Sequence, residues 1–133
     1  MKIAIAQLNY IIGDFDGNLG KMKKAVIAAN SNGADLICFS ELATCGYPPR
    51  DFLEFKDFIQ EGEKSILKLC SMAHDIAIFV GSPSVNPVPE GKDLYNSVYK
   101  MARLLRHIIS NSYQLMMFLM NTGILNPTRN SAL

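Results

Sequence analysis

The sequence has 133 residues, of which 49% are hydrophobic and 19% are charged, and its formal net charge is +1. This size and composition are typical of one soluble domain and exclude a disordered polyelectrolyte or a broadly basic nucleic-acid binder. No run approaches the ~20 apolar residues that span a bilayer, so we expect no membrane partner. The nearly neutral charge likewise gives no reason to expect a nucleic-acid partner. Three cysteines and no secretory pattern favour a reducing, cytoplasmic setting over a disulfide scaffold.

The first predicted elements form a strand–helix–strand unit. Residues 2–8 alternate and are rich in Ile and Ala, which predicts a strand buried on both faces or nearly so. Asn18 can cap a following helix, which Asn32-Gly33 ends. Residues 35–39 form a short apolar run and predict a second buried strand. Such a unit implies a parallel sheet and an α/β fold.

The alternation continues along the chain. Residues 40–54 read as a polar loop, and Asp57 can cap a second helix. Residues 76–80 predict a third strand that ends at Gly81-Ser82-Pro83, and residues 94–99 predict a fourth.

Glu41 is the candidate catalytic residue, because ligands of open α/β sheets bind outside the carboxyl ends of the strands. Only Ser40 separates it from the second predicted strand. A carboxylate in this position can equally cap a helix or form a loop salt bridge, so its position alone leaves the role open.

The neighbouring residues supply a resemblance. Residues 39–53, Phe-Ser-Glu-Leu-Ala-Thr-Cys-Gly-Tyr-Pro-Pro-Arg-Asp-Phe-Leu, resemble the first catalytic motif of the nitrilase-like carbon–nitrogen hydrolases. The Gly-Tyr-Pro-Pro-x-Asp-x-Leu part resembles the glutaminase domain of glutamine-dependent NAD synthetases. Segments at 3–18, 81–83 and 94–98 are similar to the same domain, so the resemblance covers residues 1–99.

The resemblance implies a four-layer α/β/β/α sandwich, of which this chain has the N-terminal part, and a Glu-Lys-Cys catalytic set. Glu41 matches the general base. The motifs of the Lys and the Cys are missing, and Lys100 lacks the Leu-Pro that follows the family's lysine. We expect no cofactor or metal in this segment, since ATP and deamido-NAD would bind an absent synthetase domain.

The cysteines have simpler explanations than catalysis. We expect Cys38 and Cys70 to be small core residues and Cys45 to be a partly exposed loop residue outside the nucleophile position. No cysteine pair has the spacing of a metal site, and His74, at a predicted helix end, is expected to face solvent or the helix dipole rather than a metal.

The tail differs in charge from the rest of the chain. All twelve acidic residues lie at or before Asp93, so residues 1–93 carry −3 and residues 94–133 carry +4. This asymmetry is typical of a basic arm, and residues 104–120 could form an amphipathic helix that contacts a partner or a membrane surface.

A shift of reading frame explains the tail better. Methionine has the single codon ATG. In a shifted reading frame, each new codon consists of the last base of one codon and the first two bases of the next, so a methionine determines the residue that the new codon encodes. Met116-Met117 forces Asp, Met117-Phe118 forces Val and Met120-Asn121 forces Glu. The family has these three residues at these places, in Leu-Pro-Thr-Tyr-Asp-Val-Phe-Asp-Glu. We therefore predict a native segment at 1–99 and a frameshifted tail at 100–133.

The prediction from sequence is thus part of a domain that hydrolyses glutamine and supplies ammonia for NAD synthesis, without activity of its own. The full-length protein would bind glutamine and form a homo-oligomer. Two alternatives remain: another carbon–nitrogen hydrolase, such as an amidase or nitrilase, and a non-catalytic interaction module with a basic tail.

Overall fold

Two α-helices and five strands make up the part of the chain that the computed structural model describes, residues 1–88, 90–102 and 116–120. In chain order the elements are β1 (Ile3–Ala6), α1 (Phe15–Ser31), β2 (Leu36–Phe39), a short 3₁₀ helix (Arg50–Glu54), α2 (Lys56–Cys70), β3 (Ala77–Val85), β4 (Leu94–Met101) and β5 (Met116–Met120). The predicted α/β alternation is confirmed.

The strands form one mixed sheet in the order β1-β2-β3-β4-β5. β1, β2 and β3 are parallel, as their helical connections require, whereas β4 runs antiparallel to both β3 and β5. β4 reverses because residues 86–93 are too few for a crossover, which needs about a dozen residues.

Both helices pack against one face of this sheet. Met22 and Val26 of α1 and Leu69 of α2 are buried in one cluster with Ile37 of β2 and Ile78 of β3. These side chains have between 0% and 2% of their surface exposed. The apolar faces of the two predicted helices therefore build the core, and they fix where the strand ends lie.

The opposite face of the sheet is not covered by the described residues. Ile3 and Ile5 point to this face and are 49% and 77% exposed. The prediction that β1 is buried on both faces is therefore wrong: β1 is the edge strand, and the described residues make one sheet and one helix layer. That is half of the predicted four-layer sandwich.

The predicted helix caps are wrong at both helices. Asp14 caps α1, since its Oδ1 accepts a hydrogen bond from the Gly17 backbone N at 3.0 Å. Asn18 lies inside the helix and is fully buried. Phe55 precedes α2, and Asp57 stands in its first turn, where a carboxylate still favours the helix dipole.

The third strand is longer than predicted. It runs through Gly81, Ser82 and Pro83 because β4 supplies a hairpin partner, with Pro83 opposite Asn96. β2 pairs with β3 only as far as Phe79. A proline is tolerated at this point because no neighbour on the β2 side needs its missing N–H.

The predicted tail is described only in part. Residues 116–120 form β5 against β4, so the alternative of a helix over 104–120 is wrong there. An apolar segment pairs readily with a strand whose edge groups are open. Residues 100–102 are also described, and Lys100 and Met101 belong to β4. Residues 103–115 and 121–133, with His107, lie outside the described residues. Neither helix in the described part has the length and apolarity to cross a bilayer.

Gly81 allows β3 to approach the loop that follows β2. A Cβ atom at Gly81 would lie 2.8 Å from the Cα of Glu41 and 2.8 Å from the backbone N of Leu42. Those neighbours are backbone atoms, which cannot swing away as a flexible side chain could. Only glycine fits there without moving the Glu41 loop.

We therefore predict that Gly81→Ala destabilises the chain, by about 1–3 kcal/mol in the free energy of unfolding. Urea unfolding measures this. The matched control is Gly20→Ala on α1, where an added Cβ meets nothing within 4 Å. We expect that control to be neutral or stabilising by up to about 1 kcal/mol. Equal stability of Gly81→Ala and the wild type would contradict the prediction.

Candidate active site

Glu41 lies directly beyond the carboxyl end of β2, as predicted, and it is exposed. The side-chain Nδ2 of Asn96, on β4, donates a hydrogen bond to Oε1 of Glu41. None of the described residues bonds to Oε2. The carboxylate is thus held by one oxygen, while the other is open to accept a proton.

The backbone after Glu41 makes a sharp turn. Leu42 has a positive φ of 50°, which is uncommon for a bulky residue, and its side chain is 1% exposed. The carbonyl of Leu42 accepts hydrogen bonds from the backbone N of Cys45 at 3.2 Å and of Gly46 at 2.9 Å. Burial of Leu42 and these hydrogen bonds together fix the turn from which Glu41 projects.

Three buried polar side chains fasten this turn to the core. Thr44 Oγ1 and Ser82 Oγ are 2.7 Å apart, which joins the turn to β3. The Nδ2 of Asn18 donates to the Thr44 carbonyl at 3.3 Å and to the Ile11 carbonyl at 2.8 Å. Asn18, Thr44 and Ser82 are each fully buried. We call this set the polar clamp.

The same turn also contacts the loop after β1. Gly13 N donates to the Cys45 carbonyl at 3.0 Å. Gly46 has a φ of +83°, and a Cβ there would lie 2.7 Å from the Ile12 backbone N. The glycine of the Gly-Tyr-Pro-Pro motif thus permits a close backbone approach that positions the Glu41 turn.

Tyr10 lies beside Ser40, the residue that immediately precedes Glu41. Its hydroxyl is buried next to Ser40, and burial raises the pKa of Tyr10 to about 12. The phenol therefore stays protonated at neutral pH.

None of the three cysteines forms a hydrogen bond with Glu41 among the described residues. Cys45 is fully buried, so the prediction of partial exposure is wrong. Its Sγ donates to the carbonyls of Leu42 and Gly46, and burial raises the pKa of its thiol to about 12. Cys38 and Cys70 are half-buried rather than core residues, and burial raises the pKa of Cys38.

Neither His74 nor Lys100, which the sequence does not identify as catalytic, forms a hydrogen bond or ion pair with Glu41 within the part of the chain that the structure describes. His74 is exposed, as expected. Lys100 is exposed on β4, four residues beyond Asn96. Within the described ranges, no three His, Cys, Asp or Glu side chains are close enough to hold a metal ion. The site in the described residues is one exposed carboxylate on a rigid support, which can accept or donate a proton.

Sequence reasoning missed the residues that support Glu41. The sequence patterns predict Asn96 as part of a strand, Asn18 as a helix cap and Ser82 as part of a turn, and none of these predictions includes a contact near Glu41. The signal that could have identified Asn96 is a polar residue within the alternating pattern of β4, on the face that carries the loop after β2.

Comparison with known proteins places this geometry in a family. A family model for carbon-nitrogen hydrolases matches residues 2–130. The glutamine-dependent NAD(+) synthetase of Synechocystis sp. is 40% identical over 99 residues, which cover 71% of this chain and 18% of the relative. The chain therefore spans under a fifth of that relative's length.

Solved structures show the same fold. Glutamine-dependent NAD+ synthetase from Acinetobacter baumannii, in complex with ADP, matches 75% of this chain and 18% of its own with a TM-score of 0.67 and 32% identity. An amidase from Nesterenkonia sp. matches 77% of this chain and 38% of its own with a TM-score of 0.65 and 25% identity. These matches confirm the predicted nitrilase-type fold, of which the chain covers a part. Since the family model spans nearly the whole sequence, the chain belongs to the carbon–nitrogen hydrolase family.

Proposed function

We propose that the protein to which this chain corresponds hydrolyses the side-chain amide of glutamine and supplies the ammonia for NAD synthesis from deamido-NAD. Glu41 is the general base in this proposal. The observation that carries it is an exposed carboxylate at the carboxyl end of β2, held through Oε1 by Asn96. The similarity to glutamine-dependent NAD synthetases supports the choice of substrate.

The chemistry assigns a proton-transfer role to Glu41. A thiol is mostly protonated at neutral pH, so Glu41 takes its proton while the sulfur attacks the amide carbon. A lysine ammonium stabilises the negative oxygen that forms. The protonated carboxyl then returns the proton to the leaving nitrogen, ammonia departs, and water cleaves the thioester to give glutamate. Only the base of this set is matched in the sequence.

The extent of the native segment is part of the proposal. Residues 1–99 are the glutaminase segment, and residues 100–133 are read out of frame. The family model runs across residue 100, so the support comes from the codon pattern and from the 97 to 100 residues over which the first three synthetases align. We further propose a cytoplasmic, homo-oligomeric full-length protein, with ATP and deamido-NAD bound outside this segment.

A second candidate is an amidase for another carbon–nitrogen bond. It is supported by the likeness to the Nesterenkonia amidase, which has a TM-score of 0.65 and 25% identity. The Gly-Tyr-Pro-Pro motif at 46–49, which resembles the synthetase branch, favours glutamine instead.

The first prediction from the proposed function concerns activity. We expect the purified chain to release no ammonia from glutamine above the rate of its Glu41→Gln variant, because it lacks the matching lysine and thiol. A full-length glutamine-dependent NAD synthetase serves as the positive control. Ammonia release that Glu41→Gln abolishes would contradict the prediction of an inactive chain.

The second prediction concerns the gene. Sequencing the coding DNA should reveal a long open frame, one base out of register from about codon 100, that encodes Leu-Pro-Thr-Tyr-Asp-Val. If no such frame exists, the tail at 100–133 is a natural extension, and the proposed boundary is wrong.

The third prediction concerns Cys45. With a pKa of about 12, about one Cys45 thiol in 10,000 is ionised at pH 8, and the residue is also buried. We expect iodoacetamide to modify the half-buried Cys70 in the folded chain and to spare Cys45 until urea unfolds it. Mass spectrometry of the peptides measures both sites together. Equal alkylation of both residues in the folded chain would refute the assignment of Cys45 as a buried structural thiol.

A further inference from the structure

The hydrogen bond between Asn96 and Glu41 joins two distant parts of the chain. Asn96 is 8% exposed, and it stands opposite Pro83 in the β3–β4 hairpin. Directly opposite residues of an antiparallel pair share a face. Asn96 and Pro83 therefore lie on the same face as Gly81, two residues before Pro83, which is the face away from the helices.

Gly81 and Asn96 contact different parts of the same residue. The backbone of Glu41 passes over Gly81, where a Cβ would lie 2.8 Å from the Glu41 Cα. The carboxylate reaches Asn96, whose partner Pro83 is two residues beyond Gly81, a distance of about 6–7 Å along the strand. One residue thus locates the main chain of Glu41 and the other locates its carboxylate.

A neutral donor suits a proton acceptor better than a cation would. An amide fixes the orientation of a carboxylate, whereas a lysine or arginine in the same place would also bind the ionised form strongly and oppose its protonation. None of the described residues forms a salt bridge with Glu41, and its carboxylate accepts a hydrogen bond from the neutral amide of Asn96.

We infer that Asn96 is the positioning residue of Glu41: its side-chain amide holds Oε1, so that Oε2 is the oxygen that exchanges the proton. This inference rests on the proposed function of Glu41. It assigns a role to a strand residue that is distant from Glu41 in sequence and that need not contact the substrate.

The test uses the full 133-residue chain, labelled with ¹³C and ¹⁵N. We expect nuclear Overhauser contacts between the Asn96 amide protons and the Glu41 Hγ protons, and three-bond couplings that report one χ1 rotamer of Glu41. In Asn96→Leu and Asn96→Ala, which have no side-chain donor, the couplings should average over several rotamers. Asn86→Leu, which removes another side-chain amide from the same hairpin, should leave Glu41 in one rotamer.

Amide hydrogen exchange along β4 distinguishes a loss of Glu41 positioning from a loss of folding. In an Asn96 variant that loses only the positioning, the amides of β4 should stay protected from exchange while Glu41 populates several χ1 rotamers. If neither Asn96 variant preserves β4, the wild-type Overhauser contacts and the single rotamer still decide the question. Missing contacts, or an unchanged Glu41 rotamer in a folded Asn96 variant, would overturn the inference. No readout uses turnover, so failure here leaves the role of Glu41 standing, whereas failure of that role would leave the measured contact intact.

Discussion

The buried contact between Thr44 and Ser82, completed by Asn18, is the constraint on which the site depends. A buried hydroxyl or amide without a partner is costly, so these three side chains are stable only when α1, the Glu41 turn and β3 meet in one arrangement. Gly62 lets α2 close over them, since a Cβ there would lie 3.2 Å from Ser82 Oγ. The polar clamp thereby links the Glu41 turn to α1 and β3, so that the packing of the helices on the sheet fixes the position of Glu41.

The clamp and the carboxylate lie on opposite sides of the sheet. Thr44 and Ser82 are buried on the helix side, whereas Glu41 emerges on the face where Ile5 is 77% exposed. The described residues thus build a supported carboxylate on an open face of the sheet. This arrangement agrees with a chain that covers one part of the carbon–nitrogen hydrolase fold, and it explains how Glu41 is held in place where the sequence has no thiol that matches the family's nucleophile.

Local patterns were sufficient for the elements but not for the contacts between them. The apolar periodicity of α1 and the position of Glu41 after β2 could be predicted because both depend on near neighbours. The buried position of Asn18 could not be predicted. Asp14 and Asn18 are equally good helix caps by residue type, and only the contact between Asn18 and Thr44 distinguishes them. The Glu41–Asn96 bond spans 55 residues and has no local signature.

The most direct test of the whole account is to express the gene with its reading frame restored near codon 100 and to measure ammonia release from glutamine. The account predicts glutamine hydrolysis by the restored protein and a loss of about 10²-fold or more in Glu41→Gln, the usual contribution of a general base. A restored protein that leaves glutamine intact, or one whose Glu41→Gln variant is fully active, would contradict it.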